Sequence, residues 1–129
     1  MNKKIFSENC NLSSYTTIKV GGVAEYFAEP RSVEEFSYLI KWANLNKQRC
    51  QIIGAGSNLL INNIFIKGLV VCTKKLKSLK IEPNFGIVDA EAGVMLPTLS
   101  NSLAKNGLQG GEWAVGIPGT LGGAIYMNA

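Results

Sequence analysis

The sequence predicts an α+β fold, and three observations carry that expectation. Between residues 16 and 58, strand-like, helical and strand-like patterns are followed by a glycine loop, the order of a βαβ-like unit. Beyond residue 80, an alternating hairpin-type strand leads into a second amphipathic helix. The 129 residues are 47% hydrophobic and 17% charged, which excludes the composition of a disordered chain and suits one domain or part of a larger one.

Thr16 to Val20 and Val23 to Glu29 are rich in β-favouring residues around Gly21-Gly22, which predicts a strand, a tight turn and a second strand closed by Pro30. Ser32-Val33-Glu34-Glu35 is a capping box, in which hydroxyl and carboxylate satisfy free N–H groups at a helix start. Phe36, Leu39, Ile40 and Ala43 follow at helical spacing, so the helix runs to about Asn46. Cys50 to Ile53 is a short buried strand ending in Gly54-Ala55-Gly56-Ser57-Asn58, and Gly68 to Thr73 is another. The lysines Lys74, Lys75, Lys77 and Lys80 read as a solvated strand or turn. Pro83-Asn84-Phe85-Gly86 makes a turn before the alternating strand Ile87 to Ala92. Leu96, Leu99 and Leu103 mark the second helix, with Pro97 in its first turn and Gly107 as its stop.

Several classes of function are excluded early. Thirteen Lys and Arg against nine Asp and Glu give +4, a mild excess that chooses no partner by itself. Histidine is absent, which removes Ser-His and Cys-His nucleophiles, His-zinc sites and His-linked flavins. Cys10, Cys50 and Cys72 form no C-x-x-C pair and read as reduced thiols, and no metal site is expected. The N-terminal segment from Met1 to Cys10 lacks the apolar core of a signal peptide, and no apolar run reaches membrane-spanning length. A cytoplasmic protein with no membrane association is expected. The lysine segment lacks interleaved aromatics that would stack bases, so no nucleic-acid partner is expected.

Two glycine-rich segments remain. Gly54 to Asn58 follows a buried strand, so its backbone N–H groups can form an anion-binding nest, although it lacks the third glycine of a dinucleotide fingerprint and the Gly-Lys-Ser/Thr ending of a P-loop. Gly116-Ile117-Pro118-Gly119-Thr120-Leu121-Gly122-Gly123-Ala124 offers a second close-approach surface, with Thr120 placed to cap a helix whose N-terminus would face an anion. Each alone is compatible with a purely structural turn. Together they suit an extended diphosphate ligand such as a dinucleotide.

The segments Tyr15 to Ala24, Gly54 to Leu60 and Gly116 to Ala129 resemble, in order and spacing, the UDP-N-acetylenolpyruvoylglucosamine reductase family, also called UDP-N-acetylmuramate dehydrogenase or MurB. The resemblance implies an FAD-binding domain of the PCMH or vanillyl-alcohol-oxidase-like type, made of two α+β subdomains at about 12–75 and 76–129, the second incomplete. It implies non-covalent FAD held by Gly54, Ala55, Gly56, Ser57 and Asn58, with Gly116, Ile117, Pro118, Gly119, Thr120, Gly122 and Gly123 lining the diphosphate and flavin region. It further implies NADPH as reductant and a small-molecule UDP-sugar as substrate. Reduced flavin would deliver hydride to the enolpyruvyl group, a serine would protonate the adjacent carbon, and an arginine and a glutamate would assist, giving a peptidoglycan precursor.

Two departures qualify this resemblance. Asn62-Asn63-Ile64-Phe65 stands where the family has an aspartate and glycines. The family's arginine, serine and glutamate lie in segments with no match in this sequence, so no catalytic residue is assigned, and Ser57 and Ser102 are not substitutes. The stop at Met127-Asn128-Ala129, inside an ordered apolar segment, reads as a truncation. An FAD- or nucleotide-binding fragment without turnover, or another oxidoreductase of the same flavin fold, are the competing readings; the oligomeric state is open.

Overall fold

The computed structural model describes residues 5–62 and 64–129. Residues 1–4, the start of the segment read against a signal peptide, and Asn63 of the departing turn lie outside the described residues. Strands β1 (Ser7–Asn11) and β2 (Val23–Ala28) precede helix α1 (Val33–Leu45), then strands β3 (Cys50–Ile53) and β4 (Phe65–Cys72). A small hairpin, β5 (Leu79–Glu82) with β6 (Ile87–Ala90), leads to helix α2 (Leu96–Lys105) and helix α3 (Leu121–Met127). The mixture is the α+β class expected.

The main sheet has the order β1-β2-β4-β3. Both β2 and β3 run parallel to β4 and flank it, so the βαβ-like unit closes through the later strand rather than by direct pairing of its own two strands. β1 joins β2 antiparallel, Ser7 opposite Phe27 and Asn11 opposite Val23.

That pairing corrects the expected hairpin. Residues 16–20 form a turn, not a strand: Thr16 is buried, its hydroxyl donates to the Val20 carbonyl at 2.7 Å, and Lys19 N–H donates to the Thr16 carbonyl at 3.2 Å. A hydroxyl that satisfies the local backbone removes the need for a ladder partner.

The sheet buries both faces. On one, Leu39 and Ala43 of α1 cover Ala28, Leu69 and Val71, with Phe6, Tyr26 and Trp42 in mutual ring contact at the edge. On the other, Leu12 covers Ala24, Phe27, Ile53, Ile66, Val70 and Cys72. Burying a leucine such as Leu39 or Leu69 stabilises the fold by roughly 1.5–3 kcal/mol.

The capping box forms with a one-residue offset. Ser32 Oγ accepts from Glu35 N–H at 3.2 Å, while the Glu35 carboxylate accepts from Arg31 N–H at 2.7 Å. The helix ends at Leu45 with Asn46 as its cap, and α2 ends before Gly107 at φ +70°, as its glycine stop requires.

At the centre of the sheet, the β2–β4 register shifts between Ala24 and Tyr26. Gly68 sits opposite this irregularity at φ +90°, where a Cβ would lie 2.3 Å from the Arg49 carbonyl. Its N–H donates to the Glu25 carboxylate at 2.8 Å, so a side chain completes the interrupted ladder.

Candidate functional site

The glycine loop leaves the carboxyl end of β3, beside β4, where the Thr73 hydroxyl donates to the Ile53 carbonyl at 3.2 Å and ties the two strand ends together. Gly56 has φ +71°, and a Cβ there would lie 2.0 Å from the Tyr15 carbonyl. Its own carbonyl accepts from Thr17 N–H at 3.1 Å. Glycine is therefore required at this position by the backbone of the 13–20 turn, before any ligand is considered.

The two glycine segments, far apart in sequence, meet in space. A Cβ on Gly54 would lie 2.3 Å from Thr120 Oγ1. Ser57 Oγ donates to the Pro118 carbonyl at 2.9 Å, and Gly119 lies against the same hydroxyl. Thr120 is buried and its Oγ1 accepts from Gly123 N–H at 3.4 Å, so it caps α3 as expected. The strand-like approach to this cap is fixed by Leu96 N–H on the Gly119 carbonyl at 3.0 Å and Leu121 N–H on the Val94 carbonyl at 2.8 Å. Gly122 packs against Ala92, where a Cβ would clash at 2.8 Å.

Not every expected residue joins this contact. Gly116 is exposed, and a Cβ there would meet nothing within 4 Å; Asn58 is exposed to solvent. Ile117 is half-buried on the approach to Pro118.

Among the described residues, the N–H groups of Ala55, Gly56 and Ser57 and those of Gly119 and Thr120 donate to no protein acceptor. Unpaired backbone donors on two touching loops are the kind of group that binds an extended anion, although Gly56, Gly119 and Thr120 are themselves buried. They fit the diphosphate of a dinucleotide such as FAD.

A cleft of about 340 Å³ opens beside these loops. It is lined by Ser14, Thr16, Thr17 and Lys19 of the 13–20 turn, by Ala55 of the glycine loop, and by Lys74 and Met95. The sequence pattern alone conceals this lining, because Thr16 to Val20 reads as a strand and Lys74 as a solvated surface. The available signal is the Thr-Thr pair beside Gly21-Gly22, which belongs to the first resembling segment.

Behind the turn, Tyr15 packs against Phe27 with the rings tilted by 49° and their centroids 4.4 Å apart, and its hydroxyl donates to Glu29 at 3.4 Å. Glu29 is also ion-paired to Lys75 Nζ at 2.9 Å. Burial first, then the Glu29 charge, pushes the Tyr15 phenol up to about 12. Cys72, a free thiol under the loop, is pushed up by burial. Among the described residues no cluster of His, Cys, Asp and Glu is arranged to hold a metal ion, and no helix is long and apolar enough to cross a membrane.

The chain belongs to the FAD binding domain family, which it matches over residues 24–129. It is 71% identical over 124 residues to the UDP-N-acetylenolpyruvoylglucosamine reductase of Prochlorococcus marinus subsp. pastoris, covering 96% of this chain and 42% of that protein. It is similar also to the crystal structure of the Thermus caldophilus UDP-N-acetylenolpyruvylglucosamine reductase, with TM-score 0.70 and 30% identity over 96% of this chain and 43% of that one. The likeness to 6-hydroxy-D-nicotine oxidase from Arthrobacter nicotinovorans, TM-score 0.59 at 18% identity over 72% of this chain and 20% of that one, is one of fold alone. The resemblance to the reductase family and the FAD-binding α+β fold that it implied are thereby borne out. The chain spans about two fifths of the length of these reductases.

Proposed function

We propose that this chain forms the FAD-binding part of a cytoplasmic reductase that converts UDP-N-acetylenolpyruvoylglucosamine to UDP-N-acetylmuramate, a peptidoglycan precursor, with NADPH as reductant. The observation that carries the reading is the meeting of the two glycine loops, with free N–H donors from both at one place. The reductases it is similar to support the substrate assignment.

In this reading the residues of the chain bind and orient. The loop from Gly54 to Asn58 holds the diphosphate by backbone N–H groups, and the segment from Gly116 to Gly123 lines the diphosphate and flavin region. The bond from Ser57 to Pro118 and the contact of Gly54 with Thr120 hold the spacing between them. The two loops would draw on the two halves at about 12–75 and 76–129, and the cofactor would lie where these meet. When bound, FAD supplies the two-electron transfer.

The test is FAD binding by the purified chain, followed by quenching of flavin fluorescence and by melting temperature. Saturable binding that raises the melting temperature is expected, since a ligand specific to the native state stabilises it by RT ln(1 + [L]/Kd). Absence of both effects would remove the reading.

A further inference from the structure

We propose that Glu29 is a positioning residue for the first glycine loop: through Tyr15 it fixes the 13–20 turn against Gly56 and so holds the loop in its binding shape. Glu29 is the first residue after β2, Tyr15 closes the 3-10 turn that follows β1 (Ser13–Tyr15), and Lys75 closes the one that follows β4 (Thr73–Lys75). One carboxylate oxygen, Glu29 Oε2, accepts from the Tyr15 hydroxyl at 3.4 Å and from Lys75 Nζ at 2.9 Å. A single atom thus joins the turn after β1 to the turn after β4.

The anchor is rigid where it starts. Ala28 and Pro30, on either side of Glu29, are both buried, and the proline ring fixes its own φ. The Glu29 side chain is only 22% exposed, so its charge is screened less than that of an open surface pair. Lys75, which the sequence presents as one of a solvated cluster, is committed to this carboxylate.

The other end of this chain of contacts is the loop. The Tyr15 ring packs against Phe27 and its hydroxyl meets Glu29, while its carbonyl occupies the space into which a Cβ on Gly56 would project. Thr17, two residues on, donates its N–H to the Gly56 carbonyl at 3.1 Å. The side chain and backbone of one residue therefore couple the carboxylate to the loop. Neither Glu29 nor Tyr15 lines the cleft beside the loop, so what they supply there is order rather than contact with a ligand. A loop with few buried contacts opens at little cost, and one that is already ordered loses less conformational freedom on binding. For affinity the proposal rests on the FAD reading; for the order of the loop it stands apart from it.

The experiment compares the parent with Tyr15→Phe, Glu29→Ala, their double variant and the exposed control Tyr38→Phe, by residue-resolved amide hydrogen exchange without ligand and by FAD titration. Tyr15→Phe and Glu29→Ala should each speed exchange at Thr17 by about tenfold, leave the buried Leu69 N–H at the sheet centre unchanged, and weaken FAD binding by about three- to tenfold. Tyr38→Phe should match the parent. The double variant should be no worse than Glu29→Ala, since both changes remove one bond; an additive loss would overturn the route through Tyr15. Thr17 exchange that stays at the parent rate, or that rises in step with Leu69 as a general loss of stability would make it, would also overturn the proposal. Faster exchange at Thr17 with FAD affinity unaltered would overturn it as well, and leave the FAD reading standing. If the parent binds no FAD, that reading falls and the exchange at Thr17 decides the anchor by itself. Should Glu29→Ala fail to fold, Tyr15→Phe, which keeps the ring on Phe27, carries the test.

Discussion

Gly56 shows how a single residue joins fold to site. Its position in a phosphate-type loop suggests that a side chain would chiefly block a ligand, so that Gly56→Val would weaken FAD binding far more than the fold. The structure reverses this order, because φ +71° and a Cβ 2.0 Å from the Tyr15 carbonyl set valine against the protein's own backbone. Gly56→Val is expected to destabilise the apo chain by about 3 kcal/mol or more, through left-handed strain plus steric displacement of the 13–20 turn. Urea unfolding checks this; an unchanged midpoint with lost FAD affinity would restore the ligand-only reading. Tyr15, beside it, makes the fold sensitive to alkali. Its phenol is raised to about 12 from an ordinary value of 10.0, so the native state holds the proton more tightly than the unfolded chain. Its contribution is full below pH 10 and disappears as pH rises through about 12. Stability measured against pH should fall over that window in the parent, and Tyr15→Phe should lose part of that fall.

At the scale of elements, the parts legible in the sequence are those whose signal is local. The Ser32 box with Phe36, Leu39 and Ala43 locates α1 to within a residue of its observed end, and Pro97 with Gly107 frames α2. The illegible parts depend on partners far away. β1 has the composition Ser-Glu-Asn-Cys-Asn, with little β preference, and is a strand because β2 presents a free edge to it. Thr16 to Val20 has β preference and is a turn because one hydroxyl closes it. The site is legible in kind, since both glycine loops stand out in the sequence, but the cleft wall is not. The bulge at Gly68 is also invisible there, although it governs the sheet's centre. Glu25→Ala leaves the buried Gly68 N–H without its acceptor and should cost about 1–3 kcal/mol with FAD affinity preserved among the folded molecules. Thr120→Ala removes the cap of α3 for about 1 kcal/mol, and by releasing the contact with Gly54 it should also lower FAD affinity. Differential scanning with and without FAD separates the two variants.

At the scale of the whole molecule, the described residues bring the two glycine loops together. Ile125 and Tyr126 of α3 are 72% and 89% exposed, an apolar surface next to the second loop. The similar reductases are more than twice as long, at 42% and 43% coverage. Residues 1–129 assayed alone with NADPH and the enolpyruvyl substrate should therefore give background rates, because misplacing a reacting group by about 1 Å already costs roughly a hundredfold. Substrate-dependent NADPH oxidation by this chain would show that the chemistry lies within it. The central claim, that two glycine loops meet to hold a dinucleotide flavin without a covalent bond, is tested most directly by the chromophore of the purified chain. After FAD is added and excess removed by gel filtration, a visible flavin band should travel with the protein, be released intact on acid precipitation, and fail to form when FMN replaces FAD. A protein that stays colourless with FAD, or that takes up FMN equally well, would contradict it.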